Sequence, residues 1–252
     1  MDLGISGKRA LVVGGSQGLG LAVCERLAAE GVNLLVFARN PERLAQCQQK
    51  LQGDHGVSVE TFAGDIVSEA DIDQLVAKAQ EVGGVDILVL NTPRPPSPMR
   101  DFLDEQDQER WDQGYQQQLH GALLVLRKVV PLMTTSGWGR VIGITSASIK
   151  QPMPRHAISG IFRAGVQVAL KHLALEIAHT GVTVNAVAPA TVVTPAFSQI
   201  HDVSKRVERV PLKRAGTPEE LAATVAFLAS EHAGFITGEN IQLDGGQTGS
   251  LL

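Results

Sequence analysis

The first stretch of this 252-residue chain whose spacing can do chemistry is Gly14-Gly15-Ser16-Gln17-Gly18-Leu19-Gly20. An apolar run, 10–13, precedes it and a helical pattern follows. A strand-to-helix turn this tight needs positive φ, and missing Cβ atoms let the backbone approach a pyrophosphate. The helix N-terminus offers unpaired N–H groups and positive dipole to that anion. The spacing is G-x-x-x-G-x-G, not G-x-G-x-x-G. Alone it is equally a plain tight turn; the strand before, the helix after and the place near the chain start favour a nucleotide. The second apolar run ends Phe37-Ala38-Arg39 with no acid to accept from the ribose hydroxyls of NAD. Arg39 can pair instead with a 2′-phosphate, which favours NADP(H) over NAD(H); otherwise it is a solvated arginine at a helix start. Asp65-Ile66 closes the third run, where a carboxylate reaches an adenine amine or merely caps a helix.

The elements that must position these residues are visible as apolar runs at 10–13, 34–37, 57–62, 87–90, 141–144, 182–187 and 241–243. Rich in Val, Ile and Leu and mostly continuous, they read as strands buried on both faces of a parallel sheet. Helical patterns separate them. Asn40-Pro41-Glu42 supplies an N-cap with proline in the first turn, and Thr217-Pro218-Glu219-Glu220 has capping-box spacing. The β-α-β-α order predicts a single-domain α/β fold: a Rossmann-type doubly wound parallel sheet of about seven strands flanked by helices, spanning residues 1–252. The Pro-rich segment 93–98 reads as a stiff loop on the ligand side.

Composition narrows the function. Hydrophobic residues at 44% and charged residues at 19% fit a globular protein, and a formal charge of −4 with no basic run argues against nucleic-acid or anionic-membrane partners. The absence of a signal-peptide pattern or a transmembrane-length apolar run predicts a cytoplasmic protein. Cys24 and Cys47 lack metal or redox spacing, which fits a reducing compartment. Cys24 reads as a small buried side chain.

Together these pieces resemble the short-chain dehydrogenase/reductase family, particularly its 3-oxoacyl-carrier-protein-reductase-like branch. Gly14…Gly18-Leu19-Gly20 resembles the family's glycine motif, with Val13 for the usual Thr; Asp65 matches the acid after the third strand. Asn91-Thr92-Pro93 stands where Asn-Asn-Ala-Gly is common. Gly139-Arg140-Val141-Ile142…Ser146 resembles the strand delivering the catalytic serine. Val184-Asn185-Ala186-Val187-Ala188-Pro189 resembles the segment before the nicotinamide, with Ala190 for Gly and Thr194 in the downstream threonine position; the tail ends Asp244-Gly245-Gly246. The resemblance implies cofactor contacts at Gly14, Ser16, Gln17, Gly18, Leu19, Gly20, Arg39, Asp65, Ile66, Asn91, Thr92, Arg163, Pro189, Val192 and Thr194.

The catalytic positions depart from the pattern. The family's acid/base is a tyrosine in Tyr-x-x-x-Lys, thirteen residues after the serine; from Ser146 that count gives Ser159, and four further on Arg163. Arg163-Ala164-Gly165 keeps the frame. The only tyrosine, Tyr115, is followed four residues later by Leu119 and reads as structural. The asparagine position falls on Gln118. An aliphatic hydroxyl is a poor proton exchanger compared with a phenol of pKa about 10, and an arginine donates hydrogen bonds without relaying protons. His156, three residues before Ser159, is either a substitute proton source or an exposed helix-start histidine. Arg94, Lys150 and Arg155 as a group can bind an anionic substrate; each alone reads as a surface charge. The resemblance makes 195–211, with His201, Lys205, Arg206 and Arg209, a substrate lid. It also implies that the apolar helices 111–133 and 162–180 pair subunits into a homo-dimer or tetramer.

Three functions compete. The first is an NADP(H)-dependent reductase of a ketone or 3-oxoacyl-type carbonyl, on a small-molecule or acyl-thioester substrate, with a non-standard site of Ser146, Ser159, Arg163, Gln118 and His156. The second is an NADP(H)-binding sensor or partner subunit without turnover. The third is a non-redox enzyme on the same fold. Halohydrin dehalogenases resemble this family with arginine at the lysine position, but they keep the tyrosine and lose the glycine turn, the reverse of this chain.

Overall fold

A computed structural model describes residues 1–198 and 202–250. Seven strands form one parallel sheet in the order β3-β2-β1-β4-β5-β6-β7. They are β1 (Arg9–Val13), β2 (Asn33–Ala38), β3 (Val59–Ala63), β4 (Ile87–Asn91), β5 (Gly139–Ile144), β6 (Val182–Pro189) and β7 (Asn240–Leu243). The sheet is as expected; β3 starts two residues late. Gly56, at φ +67°, closes the preceding helix, so residues 57–58 are spent leaving it.

Nine α-helices connect the described strands: α1 (Gly18–Ala29), α2 (Pro41–His55), α3 (Glu69–Glu81), α4 (Gln108–Gly114), α5 (Gly121–Met133), α6 (Ala157–Ile177), α7 (Pro195–Ser198), α8 (Val203–Glu208) and α9 (Pro218–Ala229). Both expected caps form: Asn40 accepts from the Arg43 N–H, and Thr217 and Glu220 complete a capping box. No helix among the described residues is long and apolar enough to cross a membrane.

The strands are apolar on both faces because both are covered. One core cluster joins Val12, Val36 and Val89 to Leu27 of α1, Leu51 of α2 and Leu221 of α9. The other joins Leu11, Leu88 and Val141 to Leu75 of α3, Val125 of α5 and Leu170 of α6. Strand order reverses direction between β1 and β4, so connections leaving their C-terminal ends diverge and open a crevice there.

The segment entering α4 is clamped by charge. Arg110 donates from Nε and Nη2 to the two carboxylate oxygens of Glu105, at 2.7 and 2.8 Å, and also to the Pro98 carbonyl at 2.6 Å. The Glu105 side chain is only 2% exposed. The Arg110 guanidinium holds its carboxyl below the usual carboxylate range. Glu105→Gln leaves a buried guanidinium uncompensated and is expected to lower stability by about 3 kcal/mol. Because the folded-state pKa is depressed, this contribution is full above the unfolded value and lost as pH falls through the folded one. Urea midpoints of wild type and variant should therefore converge in acid; a constant gap would refute the ionic assignment.

Candidate active site

The crevice is lined first by the turn after β1. Gly14 sits at φ +70° and Gly18 at φ +56°. A Cβ on Gly20 would lie 2.1 Å from the Gly14 carbonyl oxygen, so only glycine lets α1 approach the strand end. Gln17, the residue before α1, makes no side-chain cap, and the first turn carries no acid. The N–H groups of that turn remain for an anion. Below it the buried thiols of Cys24 and Cys47 lie 3.7 and 4.0 Å from the Gly15 carbonyl. Cys24 is the small buried side chain that its helical position predicts. This cradle and the arginines beside it fit a dinucleotide's pyrophosphate and phosphorylated ribose.

Across the crevice Asn91, closing β4, donates from Nδ2 to the Gly14 carbonyl at 3.3 Å. Thr194 is buried, with its methyl 3.8 Å from where a Gly18 Cβ would stand. Thr92 and Val192 are buried and Pro189 half-buried; Val192 bridges Gly216. Ser16 and Leu19 are half-buried in the turn. Arg39 is exposed at the end of β2. The sequence reading missed Arg43, one helical turn on, whose Nη1 donates to Gln17 Oε1 at 2.6 Å; its i+4 spacing from Arg39 was the available signal. Asp65 accepts from the Val67 N–H at 3.2 Å and does not cap α3, whose N-cap is Ser68. The Ile66 side chain is core, packed where a Gly121 Cβ would reach it at 2.9 Å, so only its backbone can serve a ligand.

The second group gathers beyond β5. Ser146 caps a 3-10 turn (Ala147–Ile149): its Oγ accepts from the Ser148 N–H at 3.2 Å and lies 2.9 Å from Ser148 Oγ. A Cβ on Gly160 would stand 3.8 Å from Ser148 Oγ, so the first turn of α6, with buried Ser159, packs on the turn carrying Ser146. Arg163 donates from Nη1 to the Thr145 carbonyl at 3.0 Å and from Nη2 to the Pro93 carbonyl at 3.4 Å. Burial, then nearby Arg94, pushes its pKa down to about 10. Gln118 is fully buried and donates from Nε2 to the same Pro93 carbonyl at 3.3 Å. It sits in a π-helical turn (Tyr115–His120) between α4 and α5. Such turns recur at functional sites. Arg163 Nε and Gln118 Oε1 are buried without a hydrogen-bond partner among the described residues.

His156 stands at the helix start, as the N-cap residue of α6, and is half-buried rather than exposed. Its Nδ1 lies 2.7 Å from the Pro154 carbonyl, which can only accept, so Nδ1 carries the proton. Burial first, then Arg206, Arg155 and Arg163, push its pKa down, although the Pro154 bond opposes them. Arg94 Nη2 donates to Thr194 Oγ1 at 3.1 Å. Lys150 and Arg155 are exposed. Tyr115 lies on the surface with its ring 6.1 Å from Phe162. Within 195–211 the described residues form α7 and α8, the latter carrying Lys205 and Arg206; His201 lies outside the described residues.

A parallel sheet with a glycine cradle at its switch point, facing a hydroxyl and a half-buried cation, defines a dinucleotide-binding protein of the doubly wound class. The chain belongs to the short-chain dehydrogenase/reductase family. The family profile described as enoyl-(acyl carrier protein) reductase matches residues 13–248. The chain is 32% identical to bovine dehydrogenase/reductase SDR family member 4 over 98% of its length and 89% of that protein. It is 33% identical to a 3-oxoacyl-[acyl-carrier-protein] reductase of Staphylococcus epidermidis, over 95% and 98%. Among solved structures, L-sorbose reductase from Gluconobacter frateurii, complexed with NADPH and L-sorbose, superposes at TM-score 0.92 with 31% identity, over all of both chains.

Proposed function

We propose that this chain is an NADP(H)-dependent oxidoreductase that reduces a ketone or 3-oxoacyl carbonyl, with Ser146, Ser159 and Arg163 standing where the family has Ser, Tyr and Lys. The convergence of Ser146 and Arg163 carries the reading: Arg163 holds the carbonyl of Thr145, the residue next to Ser146. Its likeness to an NADPH-complexed reductase supports the cofactor.

When bound, the nicotinamide supplies the hydride that carbonyl reduction needs. The glycine turn and the N-terminus of α1 hold the pyrophosphate, and Arg39 with Arg43 takes the 2′-phosphate. Ser146 Oγ accepts from the Ser148 N–H and pairs with Ser148 Oγ, a contact in which either hydroxyl can donate; when Ser148 donates, the Ser146 O–H is left to hydrogen-bond the carbonyl oxygen. Arg163 stays cationic at neutral pH even with its lowered pKa. It therefore stabilises negative charge developing on that oxygen without surrendering a proton. Gln118 fixes the Pro93 carbonyl that also binds Arg163. Ser159 supplies a hydroxyl dipole, not a titrating acid. A neutral His156 protonated on Nδ1 presents Nε2 as an acceptor, so it does not donate the proton. The proton that the alkoxide takes up comes from water, with Ser146 only hydrogen-bonding that oxygen. Residues 195–211 cover the substrate.

The apolar stripe Ile161, Val168 and Leu175 on α6, exposed by 47%, 57% and 75%, supports a homo-oligomer formed through that helix.

The test is NADPH consumption across a panel of ketones and 3-oxoacyl thioesters, preceded by fluorescence titration of NADPH and NADH. Turnover with at least one ketone is expected. Arg39→Asp should cut the NADPH-over-NADH preference about 10- to 100-fold, the worth of a charge-assisted hydrogen bond; an unchanged ratio refutes the phosphate role. Tight NADPH binding with no turnover at any pH would favour the second reading, a nucleotide-binding partner subunit, to which the missing phenol already points.

A further inference from the structure

Resting on that reading of the pocket, we infer that the substrate is an anionic ketone, bearing a carboxylate or phosphoryl group that Arg94, Arg155 and Arg206 receive beside Ser146 and Arg163. Four separate elements bring these cations together. Arg94 comes from the loop after β4, Arg155 from the loop before α6, Arg163 from α6 itself and Arg206 from α8. Thr194 Oγ1 accepts from Arg94 Nη2 at 3.1 Å and from the N–H of Phe197, the residue whose ring Arg206 covers. Arg163 Nη2 donates to the carbonyl of Pro93, the residue before Arg94, and Arg155 stands just before α6, the helix that carries Arg163. The four cations therefore line one region of positive potential, which with burial pushes the His156 pKa down.

Two features suggest that the cluster is built and not incidental. Arg155 holds φ +61°, a conformation that side-chain-bearing residues rarely adopt. Its backbone N–H is pinned by Asp101 Oδ1 at 2.7 Å, across 54 residues of sequence. Strain of this kind persists only where surrounding structure imposes it, and it gathers at ligand clamps. Arg163 is the second feature. Its Nε is buried without a hydrogen-bond partner among the described residues while both its terminal nitrogens hold backbone carbonyls. With both terminal nitrogens taken, the Nε–H is a single fixed donor left for an oxyanion. Arg206 lies over the Phe197 ring at 5.4 Å, which places a cation on the α7–α8 segment proposed to cover the site. Asp101 is on this reading a positioning residue, acting through Arg155.

Matched pairs differing in one charge test the inference: levulinate against methyl levulinate, and dihydroxyacetone phosphate against dihydroxyacetone. Affinities for the NADPH-loaded protein are read by calorimetry, with NADPH consumption followed separately. At least one anion should bind tenfold or more tightly than its neutral partner; which pair does so tells carboxylate from phosphoryl recognition. In Arg94→Gln/Arg155→Gln the ratio should fall towards one. Arg155→Gly relieves the strained φ, so it should fold with an undiminished melting temperature and still lose most of the preference. Neutral members binding as tightly as the anions, or no member binding at all, would overturn the inference. Anion binding without NADPH consumption would instead sink the reductase reading and leave the anion site standing.

Discussion

Replacing Ser159 by tyrosine together with Arg163 by lysine is expected to raise kcat/KM for ketone reduction about 100-fold, the lower end of what a positioned acid contributes. Position 159 is buried in the first turn of α6, which packs on the 3-10 turn carrying Ser146. A phenol there starts from a pKa of about 10, and an adjacent ammonium lowers it further towards neutrality. A serine hydroxyl cannot be brought there. The double variant should also acquire a pH limb that the wild type lacks: reduction needs the protonated phenol, so its rate falls as pH rises through the phenol pKa. Steady-state NADPH consumption across pH reads both effects. No gain with any ketone would mean that carbonyls in this pocket do not present their oxygen to position 159.

Ser146→Ala is expected to lower kcat about 100- to 1,000-fold, the usual effect of deleting one donor to a developing oxyanion. Ser148 holds the Ser146 oxygen through its N–H and its Oγ, so that oxygen is positioned before substrate arrives. NADPH affinity should barely move, because Ser146 lies beyond β5 and the glycine turn follows β1, and the melting temperature should fall by only a few degrees, the cost of about 1 kcal/mol for the lost cap. A variant as active as wild type would remove Ser146 from the chemistry and with it the proposed orientation of the carbonyl.

Much of the frame was legible because its causes are local. Runs such as 87–90 are apolar at every position, and the only environment that suits them is a strand covered on both faces. Asn40-Pro41 and Thr217-Pro218 start helices through hydrogen bonds within three residues, so their meaning survives whatever packs around them. The beginning of α6 was less legible: Ala157-Ile158-Ser159-Gly160 lacks strong helical propensity and carries no capping side chain. Packing of this turn against Ser148 decided it.

Sequence alone determined the glycine turn, with Gly14 and Gly18 at positive φ and Gly20 against the Gly14 carbonyl. Backbone strain and residue counts along one continuous chain are written into the order of amino acids. Only the tertiary structure decided which cations meet. Arg94 reaches Thr194 across 100 residues, and Asn91 reaches Gly14 across 77. It likewise turned His156 from a surface residue into a half-buried, neutral-leaning ring beside three arginines. Contacts of that range depend on where the sheet's reversal point places its loops, and no local pattern encodes them.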